Sequence, residues 1–145
     1  MKVKLPSLFL LGTQLVCLAY LLWTGFLFAR PPWIWPELLG LGVIGWAVYT
    51  MQPRQLTPFP ELRPGARLVT RGPYRWIRHP MYSGLLLATL ALVINTWTTA
   101  RAAIWLVFLI DLIFKLEYEE SLLAGRFPEY AKYRQRTRRL IPFVY

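Results

Sequence analysis

The chain has 145 residues, 56% of them hydrophobic, with seven tryptophans and a formal charge of +10, a composition unlike that of ordinary soluble domains. Its length suits a single domain, and its single cysteine, Cys17, excludes a disulfide within this chain. The apolar residues form long, nearly uncharged blocks, and about 20 helical residues cross a bilayer core of about 30 Å. Composition therefore indicates an all-α, polytopic integral membrane protein.

Four apolar blocks predict four transmembrane spans within one domain over residues 1–145. In chain order we expect two spans, a cytoplasmic loop, two further spans and a cytoplasmic helical tail, at residues 5–29, 33–52, 53–79, 80–97, 100–116 and 117–145. The first block is too long for a signal peptide and ends without a small-residue cleavage site, so it predicts a retained span. Five prolines exclude a long regular element from the loop. The short connection between the last two spans predicts a tight antiparallel helical hairpin.

The basic residues are distributed unevenly around these predicted spans. If both termini face the cytoplasm, 15 of the 17 Lys and Arg side chains lie on the inner side, and only Arg30 and Arg101 lie outside. This excess is the positive-inside pattern, and it makes anionic inner-leaflet lipid the expected partner rather than nucleic acid. We therefore expect a multi-pass protein with both termini in the cytoplasm, and the compact length favours a prokaryotic inner membrane.

Chemically capable side chains concentrate just before the third predicted span, in Gly72-Pro-Tyr-Arg-Trp-Ile-Arg-His-Pro-Met-Tyr-Ser-Gly84. Pro80 fits the first turn of a helix because its missing N–H would be unpaired there anyway. His79, the sole histidine, is then held extended ahead of that turn, and the free N–H groups beyond it favour a carboxylate or a phosphate. One histidine and one distant cysteine fall short of a metal-ligand set, so no metal site is predicted.

The fourth predicted span carries three charged residues on one helix face. Asp111, Lys115 and Glu119 follow one another at intervals of four residues. We expect Asp111 to pair with Lys115, which lowers the cost of an acid inside the hydrocarbon. Glu119, rather than Glu120, is expected to face the same cavity as Lys115. An ordinary ion-pair ladder at a helix exit is the alternative interpretation, but the predicted hairpin places this face beside the His79 segment.

A glycine pattern in the second predicted span is interpreted as a packing feature. Gly40-Leu-Gly-Val-Ile-Gly45 satisfies the dinucleotide-binding pattern G-x-G-x-x-G. It lies inside a span, however, and no strand precedes it. Small residues that allow helices to approach closely explain the glycines better.

Several strings in the second half of the chain point to a known family. They are Leu68-Val-Thr-Arg-Gly-Pro-Tyr-Arg-Trp-Ile-Arg-His-Pro-Met-Tyr-Ser-Gly84, Glu119-Glu120-Ser-Leu-Leu123, Phe127-Pro-Glu-Tyr130 and Arg139-Leu-Ile-Pro142. Over residues 66–142 the chain thereby resembles the isoprenylcysteine carboxyl methyltransferase family, which is related to the membrane phospholipid methyltransferases. The resemblance implies a helical membrane enzyme that uses S-adenosylmethionine without a Rossmann sheet.

The resemblance also implies a set of binding residues. The residues that match cofactor contacts of the family are Ala66, Arg67, Leu68, Val69, Tyr74, His79, Pro80, Met81, Tyr82 and Glu119. A basic residue of the family contacts the methyl acceptor, and Lys115 stands where the eukaryotic carboxyl methyltransferases carry arginine. Lysine lacks the planar bidentate grip of arginine on a carboxylate, which leaves the acceptor open.

The residue inventory fits methyl transfer. Arg78, His79 and Glu119 are the predicted catalytic residues, and Arg78 or Lys115 is expected to hold an anionic acceptor. If the acceptor is an amine or a hydroxyl, His79 or Glu119 is the nearest candidate base.

The predicted function is S-adenosylmethionine-dependent methylation of a lipophilic acceptor at the cytoplasmic face of the membrane. The acceptor stays open among a prenylated cysteine carboxylate, a phospholipid amine, an isoprenoid acid and a small hydrophobic xenobiotic. Two other functions remain. One is an NADPH-dependent membrane reductase of the sterol and steroid type, which has a similar helical core. The other is a non-catalytic protein that binds anionic lipid through the basic residues between Arg134 and Arg139.

Overall fold

The computed structural model describes residues 4–52, 56–61 and 63–145, and within these ranges it contains helices and no β-strand. The α-helices are α1 (Leu5–Trp23), α2 (Ile34–Met51), α3 (Pro80–Asn95), α4 (Thr99–Arg126) and α5 (Tyr130–Arg136), and a short 3-10 helix covers Gly72–Arg75. The predicted all-α class is confirmed. Lys2, Pro53 and Arg54, which entered the charge and proline patterns, lie outside the described residues.

Helices α1 and α2 are long and apolar enough to cross a membrane, with 19 and 18 residues and mean hydropathies of 1.9 and 1.2. Only 17% and 22% of their apolar stretches are buried inside the molecule. Phe9 and Trp23 on α1 and Tyr49 on α2 are among the most exposed side chains. A core helix of a soluble protein would bury such side chains, so these two helices are those of a membrane protein.

Helix α1 ends at Trp23, before the predicted limit at residue 29, and a buried arginine explains the early end. The guanidinium of Arg101 donates to the carbonyl of Leu21 and to the hydroxyl of Thr24, both at 2.8 Å. It also donates to the carbonyl of Leu92 near the end of α3, at 3.1 Å. Because Arg101 satisfies carbonyl groups that a helix end would leave unpaired, it fastens the ends of α1 and α3 to the start of α4.

The four long helices pack as two close pairs. Helix α2 lies along α3, and α1 lies along α4. At the first contact, a Cβ atom on Gly40 or on Gly84 would lie 2.5 Å from the carbonyl oxygen of the other residue. The close approach of α2 and α3 therefore requires both glycines. Gly42 and Gly45 face open space, so only the first glycine of the dinucleotide-like string serves this contact.

Helix α3 begins at Pro80 with His79 as its N-cap residue, as the sequence predicts, but the predicted extended backbone at His79 is wrong, because its ψ is 60°. Helix α4 continues past the predicted span limit at residue 116 as far as Arg126. The Phe127-Pro128 pair predicts the end of one helix and the start of another at Pro128. Helix α4 does end before Phe127, but the next helix starts at Tyr130. One continuous helix therefore carries Glu119 out of the apolar bundle toward the start of α3.

The chain after α5 runs beside the segment that contains His79. The backbone N–H groups of Arg78 and His79 donate to the carbonyls of Arg138 and Arg139 at 2.8 and 3.1 Å. The hydroxyl of Ser83 donates to the carbonyl of Leu140 at 2.6 Å, and the Leu140 side chain is buried in the hydrophobic core. We call residues 137–140 the tail splint, because they fix the backbone on both sides of the α3 start.

Candidate active site

A cavity of about 310 Å³ lies where α3 begins and α4 leaves the bundle. Its walls combine residues of α1, α2, α3, α4, α5 and the 56–79 loop. Every residue that the sequence assigns to cofactor binding, acceptor binding or catalysis lines it: Ala66, Arg67, Leu68, Val69, Tyr74, Arg78, His79, Pro80, Met81, Tyr82, Lys115 and Glu119. Motifs that are separated in sequence thus meet in one cavity.

The imidazole of His79 lies between two carboxylates. Its Nδ1 is 3.4 Å from Oε2 of Glu119, and its Nε2 is 3.2 Å from Oε1 of Glu120. Burial by itself lowers the pKa of His79, but the hydrogen bonds and negative charges of Glu119 and Glu120 outweigh it and raise that pKa. Both ring nitrogens then act as donors, so the arrangement favours His79 as a positioning residue and leaves Glu119 as the better-placed base.

Glu120 was expected to point away from the cavity, and it is absent from the lining residues. Its side chain is nevertheless buried on the far side of the helix. There it accepts a hydrogen bond from Nε of Arg78 at 2.7 Å and lies 3.5 Å from Nε of Arg139. Burial raises the pKa of Glu120, but the hydrogen bonds and charges of His79 and Arg78 lower it to about 2. Glu120 is therefore the ionised centre of a buried network behind the cavity.

Arg78 is a predicted catalytic and acceptor-binding residue. In the structure its Nε and Nη1 atoms donate hydrogen bonds to other groups of the protein. Besides Glu120, it reaches the carbonyls of Thr137 at 2.6 Å and Arg134 at 3.3 Å through Nη1. These contacts connect α4 with α5 and the tail splint. The geometry favours Arg78 as a positioning residue at the cavity wall.

Glu119 faces the cavity, as the helix-face argument predicts. The hydroxyl of Tyr82 donates to its Oε1, while His79 lies beside its Oε2. The rings of Tyr82 and His79 stack with 5.5 Å between centroids and 3° between planes. Two partners therefore fix the Glu119 carboxylate, whose side chain keeps 20% of its surface exposed.

The predicted pairing of Asp111 with Lys115 is wrong. The Lys115 ammonium donates to Oε1 of Gln14 on α1 at 2.7 Å and lies 5.5 Å from the centroid of the Tyr82 ring. Among the described residues no ion pair joins it to Asp111, whose Oδ2 is buried without a hydrogen-bond partner. Pairs at this helical spacing stabilise by only about 0.2–0.5 kcal/mol, so a contact from a neighbouring helix readily replaces them.

Two tyrosines support the loop wall of the cavity. The hydroxyl of Tyr74 lies 3.8 Å from Sδ of Met51, and the hydroxyl of Tyr133 on α5 donates to the carbonyl of Tyr74 at 2.6 Å. Burial, reinforced by the charge of Glu119, raises the pKa of Tyr74, and burial likewise raises the pKa of Tyr133. Both phenols stay neutral, so they contribute ring surface and hydrogen bonds.

The sequence matches the family model of the isoprenylcysteine carboxyl methyltransferase (ICMT) family over residues 38–125, which is more than half of the chain. The chain belongs to this family. The matched range contains most of α2, the loop, α3 and nearly all of α4, and so includes every predicted contact residue.

Two bacterial proteins are similar to this ICMT-family chain. The cobalt-zinc-cadmium resistance protein CzcN of Cupriavidus metallidurans is 35% identical over 116 residues, covering 76% of this chain and 51% of CzcN. The nickel-cobalt-cadmium resistance protein NccN of Alcaligenes xylosoxydans xylosoxydans is 32% identical over 116 residues, covering 76% and 52% respectively. The chain thus spans about half the length of these curated relatives.

The part of the site outside the ICMT match comes from α1 and the tail. Gln14 of α1 lines the cavity, and Thr137 of the tail splint holds Arg78. The sequence interpretation missed both, since each acts through a long-range contact. Within the described ranges, no group of three or more His, Cys, Asp and Glu side chains is arranged to hold a metal ion.

Proposed function

We propose that this protein is a membrane methyltransferase that moves a methyl group from S-adenosylmethionine to a lipophilic acceptor. One observation carries the proposal. In a chain that belongs to the ICMT family, the family-matching residues of the loop, α3 and α4 line a single cavity with an ionised carboxylate network behind it.

The proposed topology has four spans, with α3 and α4 as a hairpin and both termini in the cytoplasm of a bacterial cell. Helix α3 ends at Asn95 and α4 starts at Thr99, so the connection between them is very short. The hydroxyl of Thr98 caps α4 by accepting from the N–H of Arg101 at 3.2 Å. The surplus of Lys and Arg on the side of the cavity supports this orientation.

The residues of the cavity suit S-adenosylmethionine. The carboxylate of Glu119 and the rings of Tyr74 and Tyr82 suit a sulfonium cation. Residues 66–69 line the cavity outside any helix or strand, and this places their backbone against the proposed position of the nucleoside. The bound cofactor would enter from the cytosolic side because it is polar.

The protein's part in the reaction is positioning. When bound, S-adenosylmethionine supplies an electrophilic methyl group, so in-line transfer needs alignment more than a nucleophilic side chain. Tyr82 and His79 hold the Glu119 carboxylate toward the cavity, where its charge is fixed before the reaction. If the acceptor must lose a proton, Glu119 is the base, since both nitrogens of His79 face carboxylates.

The acceptor is proposed to arrive from the bilayer. Lys115 lines the cavity together with the apolar side chains of Ile44 and Leu85 from α2 and α3. A lipophilic molecule partitions into lipid and reaches this wall laterally, and the Lys115 ammonium suits an anionic group on it. An isoprenylcysteine carboxylate is the acceptor that the family name supports, and other lipids with a similar polar group fit the same wall.

The names of the relatives suggest a setting for this activity. If this chain acts in metal resistance as CzcN and NccN are named to do, its contribution would be methylation of a lipid-soluble molecule. Deleting the gene and measuring growth in cobalt, zinc and cadmium salts, with a Glu119→Gln allele as the comparison, tests that setting.

Titration of the purified protein with S-adenosylhomocysteine and with NADPH tests the proposed function. Saturable binding of S-adenosylhomocysteine alone is expected, followed by transfer of labelled methyl from S-adenosylmethionine into a bacterial lipid extract. Binding of NADPH alone would contradict the proposal and favour the reductase. Binding of neither, with affinity for anionic lipid lost on neutralising Arg134, Arg136 and Arg138, would favour the non-catalytic alternative.

A further inference from the structure

Gln14 is a polar residue in the apolar helix α1, outside the residues that match the family. Helix α1 buries Cys17 and Leu21, and Gln14 lies three and seven residues before them, on the same helix face. That face packs along α4. The amide of Gln14 therefore turns inward, where it lines the cavity.

The contact of Gln14 with Lys115 pairs a charge with a neutral group. Its Oε1 accepts from the Lys115 ammonium at 2.7 Å, and an ammonium carries two further N–H donors. In the described part of the chain, no carboxylate lies within ion-pair distance of that ammonium. The positive charge is thus oriented by a neutral group, and the carboxylates of Asp111 and Glu119 act on it only from beyond ion-pair distance.

We propose that Gln14 determines the specificity of the methyl-acceptor subsite. Its amide oxygen fixes the Lys115 ammonium at the α1 side of the cavity and leaves the charge available for an anionic group of a lipophilic acceptor. This inference rests on the proposed function and deepens it, because it assigns acceptor selection to α1.

The chemistry of the pair explains why the residue at position 14 matters. A carboxylate there would form an ion pair with Lys115 and cancel the charge that an anionic acceptor needs. A hydrocarbon there would leave the ammonium without the bond that orients it. Glu119 is held by Tyr82 and His79 rather than by Gln14, so cofactor affinity should not depend on position 14.

The test compares one charged and one uncharged ligand on four proteins. Binding of N-acetyl-S-farnesylcysteine and of its carboxamide is measured on the wild type, Gln14→Glu, Gln14→Leu and Thr13→Val in nanodiscs, with correction for partitioning into empty nanodiscs. Thr13→Val changes a neighbouring polar residue of α1 that does not line the cavity. Binding of S-adenosylhomocysteine is measured on the same preparations.

The wild type and Thr13→Val are expected to prefer the acid over the amide by about tenfold. That preference should disappear in Gln14→Glu and be intermediate in Gln14→Leu, with S-adenosylhomocysteine affinity within about twofold throughout. An unchanged preference in Gln14→Glu, no preference in the wild type, or a parallel loss of S-adenosylhomocysteine binding in Gln14→Glu would overturn the assignment. If no protein binds S-adenosylhomocysteine yet the acid preference behaves as expected, the methyltransferase proposal fails and the role of Gln14 stands.

Discussion

The two ends of the cavity differ in how completely their charges are paired. At one end, His79, Glu119, Glu120, Arg78 and Arg139 form a continuous network in which each charged group has an opposite charge within 3.5 Å. At the other end, Lys115 has one neutral hydrogen-bond partner, and the nearby Asp111, which does not line the cavity, has an Oδ2 without a hydrogen-bond partner among the described residues. Paired charges make the first network rigid, even though Oε2 of Glu120 makes no hydrogen bond among the described residues. The Lys115 ammonium, in contrast, can still accept an anionic ligand. The comparison teaches that the charges at the first end are paired before any ligand binds, whereas the charge at the second end is paired only when a ligand binds.

The two ends also have different origins in the chain. Apart from Arg139, which belongs to the tail splint, the paired end lies in the range that matches the ICMT family. The open end is completed by α1, which lies before that range. We therefore expect substitutions at the paired end to affect stability and cofactor binding, and substitutions at the open end to affect the acceptor.

The largest expected effect is on stability, at the centre of the paired end. Glu120→Ala leaves Arg78 buried without its carboxylate and leaves His79 with Glu119 alone, and breaking a buried ion pair costs about 3–5 kcal/mol. The free energy of unfolding in detergent, from denaturant titration, measures this loss. Glu117→Ala is the matched control, because Glu117 is 52% exposed and its pairing with Arg139 should contribute only about 0–1 kcal/mol. Equal losses in the two variants would contradict the comparison.

A smaller effect is expected where the paired end meets the cavity. Tyr82→Phe removes the hydroxyl that holds Oε1 of Glu119, and a carboxylate held by His79 alone should weaken S-adenosylmethionine binding about tenfold, or about 1.4 kcal/mol. Calorimetric titration measures the change. Tyr118→Phe is the control, because the Tyr118 hydroxyl is buried without a partner among the described residues and its removal should leave affinity unchanged. Wild-type affinity in Tyr82→Phe would show that the Tyr82 hydroxyl does not contribute to cofactor binding.

The smallest expected effect is the dependence of the free energy of unfolding on pH, which comes from the titration of Glu120 and His79. Glu120 has a pKa of about 2 instead of 4.5, so its contribution is full above pH 4.5 and is lost as the pH falls through 2. The pKa of His79 is raised from 6.5, so its contribution is full below pH 6.5 and is lost as the pH rises through the higher value. Denaturant unfolding at a series of pH values should give a plateau between pH 4.5 and 6.5. A steady rise in stability from pH 6.5 to 9 would be inconsistent with the pairing of His79.

Local rules of sequence predicted the parts of the molecule that depend on neighbouring residues. The start of α3 at Pro80 follows from the backbone of proline, and the inward direction of Glu119 follows from helix periodicity. The break at Phe127 follows from the proline after it. The family resemblance added the loop residues 66–69, which have no periodic signal of their own.

The sequence could not predict contacts that depend on how distant segments pack. Gln14 meets Lys115 across the α1–α4 contact, and no local pattern distinguishes that contact from the expected pair with Asp111. The end of α1 at Trp23 depends on Arg101, far along the chain. The role of Glu120 depends on Arg78 and on the tail splint behind it. Helix periodicity predicts the direction of the Glu120 side chain but not which residues it meets there.

A paired titration with S-adenosylmethionine, which carries the sulfonium charge that S-adenosylhomocysteine lacks, tests most directly whether the His79 end of the cavity binds the cofactor. The wild type, Glu119→Gln and Gln14→Glu are compared in one detergent preparation. Glu119→Gln should weaken binding at least about tenfold, because it removes the charge nearest the cavity at that end, while Gln14→Glu should stay within about twofold of the wild type. Wild-type affinity in Glu119→Gln, or equal weakening in both variants, would contradict the account.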